Sequence, residues 1–150
     1  MTYDSTQDTL KHIDRVRLLL WNMTVLLDKR GIAHDASKLK SPEKEAFDAE
    51  SDILHKLTYG SKEYEESVAR LGPAQQHHFE NNKHHPEHWP NGIEDMDLVD
   101  LIEMICDWKA SSERNAGSTL NMEYNFEKYK FSPQLAQIFQ NTKERYLDVV

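Results

Sequence analysis

The sequence predicts an all-α fold, and three observations lead to that prediction. Apolar residues recur every three or four positions over long stretches, a spacing that places them on one face of a helix. No segment sustains the alternation of apolar and polar residues that is typical of a half-buried strand. The 150 residues include only five glycines and five prolines, too few for the many tight turns of an all-β fold.

The first predicted helix is the longest and covers residues 5–29. Its apolar side chains fall on two adjoining stripes, and Gly31 is expected to end it. A short helical turn over 34–39 should follow. The stripes consist of Leu10, Ile13, Leu20 and Leu27 on one side and of Val16, Leu19, Met23 and Leu26 on the other.

Glycines and Ser-Pro steps divide the rest of the chain into further helices, because serine caps a helix and proline suits its first position. Proline also disfavours helical backbone at the residue before it, so the helix before Pro86 should end near His84 or His85. Residues 86–95 are expected to form a loop and residues 115–118 a turn. The predicted helices are 41–59, 61–71, 73–85, 96–114, 120–129 and 132–147.

Composition and charge exclude several classes of protein. With 38% hydrophobic and 29% charged residues, the chain has the composition of one globular domain, which we expect to span residues 1–150. No apolar run approaches the roughly 20 residues of a membrane-spanning helix, and the first residues do not resemble a signal peptide, so we expect a cytoplasmic protein. A net charge of −8 argues against binding of long nucleic acid. Whether the chain forms a homo-oligomer is left open.

Histidine is the unusual residue of this sequence. Of its eight histidines, five fall between residues 77 and 88, and the single Cys106 excludes a thiolate metal site within one chain. His34 and Asp35 are adjacent at a helix junction, where a sharp turn would let both reach one metal ion. His12 lies among apolar residues of the first helix, where it is either a hydrogen-bonded core histidine or a metal ligand.

A first-helix histidine, the segment IAHDASK and a later helical aspartate together resemble the HD-domain phosphohydrolase superfamily. Members of that superfamily fold as an all-α bundle and hold a metal with one histidine, an adjacent His-Asp pair and a distant aspartate. The resemblance therefore implies a bundle of HD-domain type with His12, His34 and Asp35 as ligands. Lys38 matches a lysine that often follows the pair, whereas the two residues before it differ from the usual apolar residue and glycine.

The run HHPEHWPNG, which begins at His84, is similar to the His-His-Glu segment of the HD-GYP branch of that superfamily, with one proline inserted. The added histidines of that branch bind further metal ions, so the resemblance implies ligands in this histidine cluster. Because the helix is expected to end before Pro86, the five histidines cannot all face one point. We expect His78 and one of the pair His84 and His85 to reach the metal, and His88 to lie behind the ligands or at the surface. The segment around Asp107 is similar to the closing aspartate of the branch and implies a ligand there as well. The tyrosine-proline ending that gives the branch its name is missing, so cyclic-di-GMP is not implied.

Three more polar residues lie near these candidates. Asp100 and Glu103 share a helix face with Asp107 but are expected to form a solvated acidic surface. Asn82 follows His78 by one helical turn and should hydrogen-bond a ligand or a substrate oxygen.

Over most of its length the chain also resembles a group of small phage and bacterial proteins of unknown function. The shared pattern is His-Asp-x-Ser-Lys, then His-His-Pro-Glu-His, then Glu-Met-x-x-Asp-Trp-Lys-Ala. This second resemblance implies no activity.

Together the candidate residues predict a metal-dependent phosphohydrolase or phosphodiesterase that acts on a nucleotide or a similar small phosphoester. Imidazole and carboxylate ligands suit one or two ions of Mn, Fe, Co, Ni or Zn, which promote ionisation of bound water near neutral pH. In this hypothesis Asp35 bridges two metal ions or orients the water, and Lys38 and Arg114 neutralise charge on the phosphoryl oxygens. Glu87 is a candidate general acid or a partner of a metal ligand. Two alternatives stay open: a di-iron oxygenase of the same fold, and a non-catalytic helical module that binds a ligand or protein and has a structural metal.

Overall fold

The computed structural model describes residues 3–54, 56–58, 60–114 and 120–148, and all regular structure within them is helical. The predicted all-α fold is confirmed. None of the helices in these ranges has the length and apolar character needed to cross a membrane. The α-helices are α1 (Thr6–Ala33), α2 (Glu43–Leu54), α3 (Lys62–Arg70), α4 (Pro73–Asn81), α5 (Leu98–Ser112), α6 (Met122–Lys128) and α7 (Pro133–Thr142). Shorter 3₁₀ turns are Ala36–Leu39, Pro86–His88 and Gly92–Asp95, and a π-helical turn is Lys143–Leu147.

The chain forms two compact units, one ending at His34 and the other beginning at Asp35. The first unit contains α1, which taken by itself buries none of its side chains. The helix continues through Gly31, so the prediction that this glycine ends it was wrong. It ends instead where His34 turns to an extended backbone with a ψ of 128°. A single domain over the whole chain stays a prediction.

The apolar core of the second unit lies between α5, α6 and α7. The indole of Trp108 stacks on the ring of Tyr129 with an interplanar angle of 8°, and Phe139 packs against the same indole. Because α5 also carries Glu103 and Asp107, this core fixes the backbone of two carboxylates. The turn predicted over 115–118 lies outside the described residues. The fully buried core residues are Met104, Ile105, Trp108, Met122 and Phe139.

Helices α2 and α3 are joined by a polar network rather than by apolar contacts alone. The carboxylate of Glu50 accepts a hydrogen bond of 2.8 Å from the Ser67 hydroxyl and one of 3.1 Å from the Arg70 guanidinium.

Helix α2 ends at Leu54, before the predicted residue 59. After that point the backbone forms tighter turns, in which hydrogen bonds join residues three positions apart.

Helix α4 ends at Asn81, three or four residues earlier than predicted. The side-chain amide of Asn82 donates, at 2.8 Å, to the carbonyl of His78, which is the acceptor that the backbone N–H of Asn82 would use if the helix continued. The backbone of Asn82 is extended instead, with φ −127° and ψ 104°. The side-chain amide of Asn81 donates to the carbonyl of His77 at the same distance. Residues His84 and His85 therefore lie in an irregular segment. His85 has the extended backbone that Pro86 was expected to impose, with φ −92° and ψ 127°.

Candidate metal centre

Asp35 begins the second unit in a left-handed conformation, with φ 54° and ψ 15°. Aspartate is one of the few residues other than glycine that adopt this conformation at moderate cost. One carboxylate oxygen, Oδ2, accepts a 2.6 Å hydrogen bond from the Lys38 ammonium. The other oxygen, Oδ1, lies 3.4 Å from Nε2 of His78 and 3.6 Å from Nε2 of His84.

Three histidines surround that oxygen. Nε2 of His78 and Nε2 of His85 are 2.8 Å apart, and the ring centroids of His84 and His85 are 4.2 Å apart. The His78 and His84 side chains are buried. We call the four residues Asp35, His78, His84 and His85 the His-Asp cluster; one possible ligand atom from each lies within 4.8 Å of the others.

Glu43, the first residue of α2, supports His78 from behind. It is completely buried; Oε2 accepts hydrogen bonds from Nδ1 of His78 at 2.9 Å and from the Ser37 hydroxyl at 3.0 Å. Its other oxygen accepts from Nδ1 of His77 at 2.7 Å. Burial opposes ionisation of Glu43, but the hydrogen bonds from His77, Ser37 and His78 outweigh it and hold its pKa below the ordinary value. An ionised carboxylate can only accept, so the ring proton of His78 is on Nδ1 and its Nε2 lone pair faces the cluster.

Glu103 on α5 approaches His84 from the side opposite Asp35, although without the hydrogen-bond geometry that Glu43 has with His78. Its Oε1 lies 3.0 Å from Nδ1 of His84, and its side chain is 9% exposed. The expectation that Asp100 and Glu103 form a solvated acidic surface was therefore wrong. Asp100 is 1% exposed. Its carboxylate accepts a hydrogen bond from the backbone N–H of Asp97, as part of the capping box that begins α5.

The surroundings of His78 and His85 keep these two histidines uncharged near neutral pH. Burial, together with the neighbouring His84 and His78, lowers the pKa of His85 to about 2. The pKa of His78 is also lowered, by burial and by the Lys38 charge, which outweigh the opposing effect of Asp35 and Glu43. Neutral imidazoles are the form that binds metal ions.

The donor atoms of the cluster fit a divalent transition-metal ion. Ligand atoms about 2.0 to 2.1 Å from a tetrahedral ion lie about 3.3 to 3.4 Å from one another. Oδ1 of Asp35 is close to this distance from Nε2 of His78, at 3.4 Å, and from Nε2 of His84, at 3.6 Å. Nε2 of His78 and Nε2 of His85 are at a hydrogen-bond distance of 2.8 Å and would move apart around an ion. Three imidazole nitrogens and one carboxylate oxygen suit Mn, Fe, Co, Ni or Zn.

Three other predicted ligands, Asp107, His12 and His34, are not members of the His-Asp cluster. A carboxylate oxygen of Asp107 lies within 4.8 Å of a ring nitrogen of His84, so this aspartate borders the cluster. His12 is on α1 and His34 caps that helix, so both belong to the first unit, and their ligand roles stay predictions.

The predicted substrate and acid-base residues also have defined surroundings. Asn82 donates one amide hydrogen to the Ser37 hydroxyl at 2.8 Å and the other to the carbonyl of His78, so it holds the Asp35 turn against α4 instead of offering those hydrogens to a ligand. Arg114 is exposed after α5.

Glu87 accepts a hydrogen bond from the Tyr129 hydroxyl at 3.1 Å and lies 3.4 Å from the Lys128 ammonium. His88 is outside the cluster, as expected, and its Nδ1 lies 2.8 Å from the carbonyl of Phe79.

Sequence reasoning missed Glu43 entirely. A glutamate at the first position of a helix is favoured by the helix dipole whatever else it does, so its residue type at that position gives no signal of a site. Its contact with His78 joins residues 35 positions apart and arises only when α2 packs beside α4.

The fold and the cluster define a class: a helical protein with a candidate metal centre built from histidine and carboxylate. Residues 1–145 match the family of unknown function DUF5662, and the chain belongs to that family. No curated protein matches the chain, and no solved structure does.

Proposed function

We propose that the protein is a metal-dependent phosphohydrolase related to the HD-domain superfamily, with a divalent metal ion held by the His-Asp cluster. The observation that supports this most is the convergence of Nε2 of His78, Nε2 of His84 and Oδ1 of Asp35. The opposite atoms of His78 and Asp35 are hydrogen-bonded to Glu43 and Lys38. A cation placed between these atoms is attracted by the carboxylate charge and by the imidazole lone pairs. A divalent ion there supplies Lewis acidity, which promotes ionisation of water and polarises a phosphoryl oxygen.

Asp35 and Lys38 have complementary tasks in this proposal. The Lys38 ammonium binds Oδ2 of Asp35, which leaves Oδ1 as the ligand atom and fixes the orientation of the carboxylate. The Lys38 side chain is 30% exposed, so its charge is accessible from solvent beside the cluster. In a protein of net charge −8, such a local cation favours an anionic substrate and stabilises charge on its phosphoryl oxygens.

The reaction is hydrolysis of a nucleotide or a similar small phosphoester. Water adds to phosphorus, the bond from phosphorus to the leaving oxygen breaks, and that oxygen takes up a proton. We assign no step to Glu87, because Tyr129 and Lys128 already engage its carboxylate. Arg114 remains a candidate for the outer part of the substrate because it is exposed and cationic. A cytoplasmic location, where nucleotides are abundant, is part of the proposal.

The test is a screen of phosphoesters with metal-depleted protein reloaded separately with Mn²⁺, Fe²⁺, Co²⁺, Ni²⁺ or Zn²⁺. We expect turnover of a mono- or diester with at least one ion. Lys38→Ala should lower kcat/KM by about 10²-fold at a saturating concentration of metal, since it removes one charge from the transition state. Lys44→Ala is the matched control, because Lys44 pairs with Asp48 on the surface of α2.

Two outcomes would contradict the proposal. Bound metal without turnover of any phosphoester would favour a non-catalytic module with a structural ion. Oxygen consumption by the iron-loaded protein, without phosphoester hydrolysis, would favour an oxygenase.

A further inference from the structure

We propose that Glu43 and Glu103 are positioning residues that hold the ring protons of His78 and His84 on Nδ1 and so reserve both Nε2 atoms for a divalent metal ion. The inference rests on the proposed metal centre and deepens it. It identifies the residues that set the tautomer of two ligands and, through the tautomer, the affinity for the ion.

The hydrogen bonds around Glu43 can be arranged in only one consistent direction. The Ser37 hydroxyl donates its one hydrogen to Glu43 and accepts from the amide of Asn82. The second amide hydrogen of Asn82 goes to the carbonyl of His78, so the 3.1 Å approach between that amide and Nδ1 of His78 is not a hydrogen bond to the ring. Nδ1 of His78 is left with Glu43 as its acceptor, which places the proton on Nδ1.

Glu103 offers a second acceptor from a different helix, with its Oε1 3.0 Å from Nδ1 of His84. It reaches Nδ1 of His84 from α5, whose backbone is held by the core around Trp108. His84 is 1% exposed, so the interaction is sheltered from water. Two carboxylates on two separate helices thus direct two histidines toward the same oxygen of Asp35.

This arrangement has a known chemical effect. A carboxylate that accepts the second ring N–H of a ligating histidine fixes ring orientation and raises the basicity of the ligating nitrogen, and its removal costs about 10- to 100-fold in metal affinity. The two glutamates also add negative charge close to the cluster, which favours a cation there.

The first test uses the wild-type chain without metal. Long-range ¹H–¹⁵N spectra of the ¹⁵N-histidine-labelled protein distinguish the two neutral tautomers of each ring. We expect His78 and His84 to be protonated on Nδ1. Protonation of both rings on Nε2 would overturn the inference, and no variant needs to fold for this result.

The second test measures Zn²⁺ affinity of the full chain by competition with a chromophoric chelator. Glu43→Gln and Glu103→Gln should each weaken binding about 10- to 100-fold and change the visible spectrum of the Co²⁺-loaded protein. Glu50→Gln is the matched control, because Glu50 lies on the same helix as Glu43 but binds Ser67 and Arg70, and its affinity should equal that of the wild type. If the Glu43→Gln variant does not fold because this residue is fully buried, the Zn²⁺ affinity of Glu103→Gln and the histidine spectra of the wild type still test the inference.

The results separate this inference from the proposed function. Tight Zn²⁺ binding that both glutamine substitutions weaken, with no phosphoester turnover, would support the positioning role and contradict the hydrolase. Glutamine variants that bind Zn²⁺ as tightly as the wild type would overturn the positioning role, even in an active hydrolase.

Discussion

At the scale of single residues, the geometry of the cluster depends on side chains with two polar atoms, one of which is held by a neighbouring residue while the other faces the cluster. Asp35 gives one oxygen to Lys38 and directs the other at the histidines, while His78 gives Nδ1 to Glu43 and directs Nε2 at the same place. A substitution that removes one of the inward-facing atoms should therefore affect metal binding more than folding.

His78→Ala should abolish stoichiometric metal binding while the chain stays helical, because it removes one of four donors. His88→Ala is the matched control. It removes a hydrogen bond to the Phe79 carbonyl and should cost about 1 kcal/mol of unfolding free energy without changing metal content. Metal analysis and urea denaturation of both variants give the two quantities. A His78 variant that retained its metal and lost stability would instead indicate a structural core histidine.

Asp35 provides a second, separable prediction. Asp35→Asn keeps a residue that tolerates the left-handed backbone but removes the negative charge, so affinity for Zn²⁺ should fall by at least about 100-fold with little loss of stability. Asp35→Ala should show the same loss of affinity and an added cost of about 1 kcal/mol, because alanine is strained at a φ of 54°. Equal unfolding free energies of the two variants would contradict the claim that the left-handed backbone at residue 35 favours aspartate or asparagine over alanine.

At the scale of helices, the sequence predicted which segments are helical better than where they end. Periodicity and capping residues located α3 and α5 correctly, since those signals are local. The end of α4 could not be read from Pro86, because Asn82 already has an extended backbone and its side-chain amide binds the His78 carbonyl. The histidine and aspartate candidates stood out by residue type and resemblance. Glu43 and Glu103 did not, because their contacts with histidines arise from tertiary packing.

The end of α4 can be tested with a matched pair of variants. Asn82 is 7% exposed and makes two side-chain hydrogen bonds, so Asn82→Ala should lower the unfolding free energy by about 1 to 3 kcal/mol. Asn81 makes the equivalent bond on the exposed side, and Asn81→Ala should cost less than about 1 kcal/mol. Urea denaturation gives both values, and a larger loss for Asn81 would contradict the role of Asn82 in bracing the Asp35 turn.

At the scale of the whole molecule, the second unit brings together donors from the Asp35 turn, α4 and the segment that follows α4. An ion bound to all of them should stabilise the folded chain, because the unfolded chain does not hold these atoms together. The ligand roles predicted for His12 and His34, in the first unit, are further hypotheses about the same ion.

Metal should therefore raise stability by mass action. At a free Zn²⁺ concentration 100 times Kd, the unfolding free energy should increase by about 2.7 kcal/mol, measured by urea denaturation with and without chelator. Asp35→Asn should show almost none of this increase under the same conditions. An equal increase in both proteins would mean that Zn²⁺ binds elsewhere.

The most direct test of the account is an anomalous difference map from crystals of the zinc-loaded protein, with data collected above the zinc absorption edge. We predict a peak about 2.0 to 2.2 Å from Oδ1 of Asp35 and from Nε2 of His78, His84 and His85. The map would also show whether His12, His34 or Asp107 completes the coordination. An empty cluster, or zinc held only by other residues, would contradict the central claim that these four side chains form a metal centre.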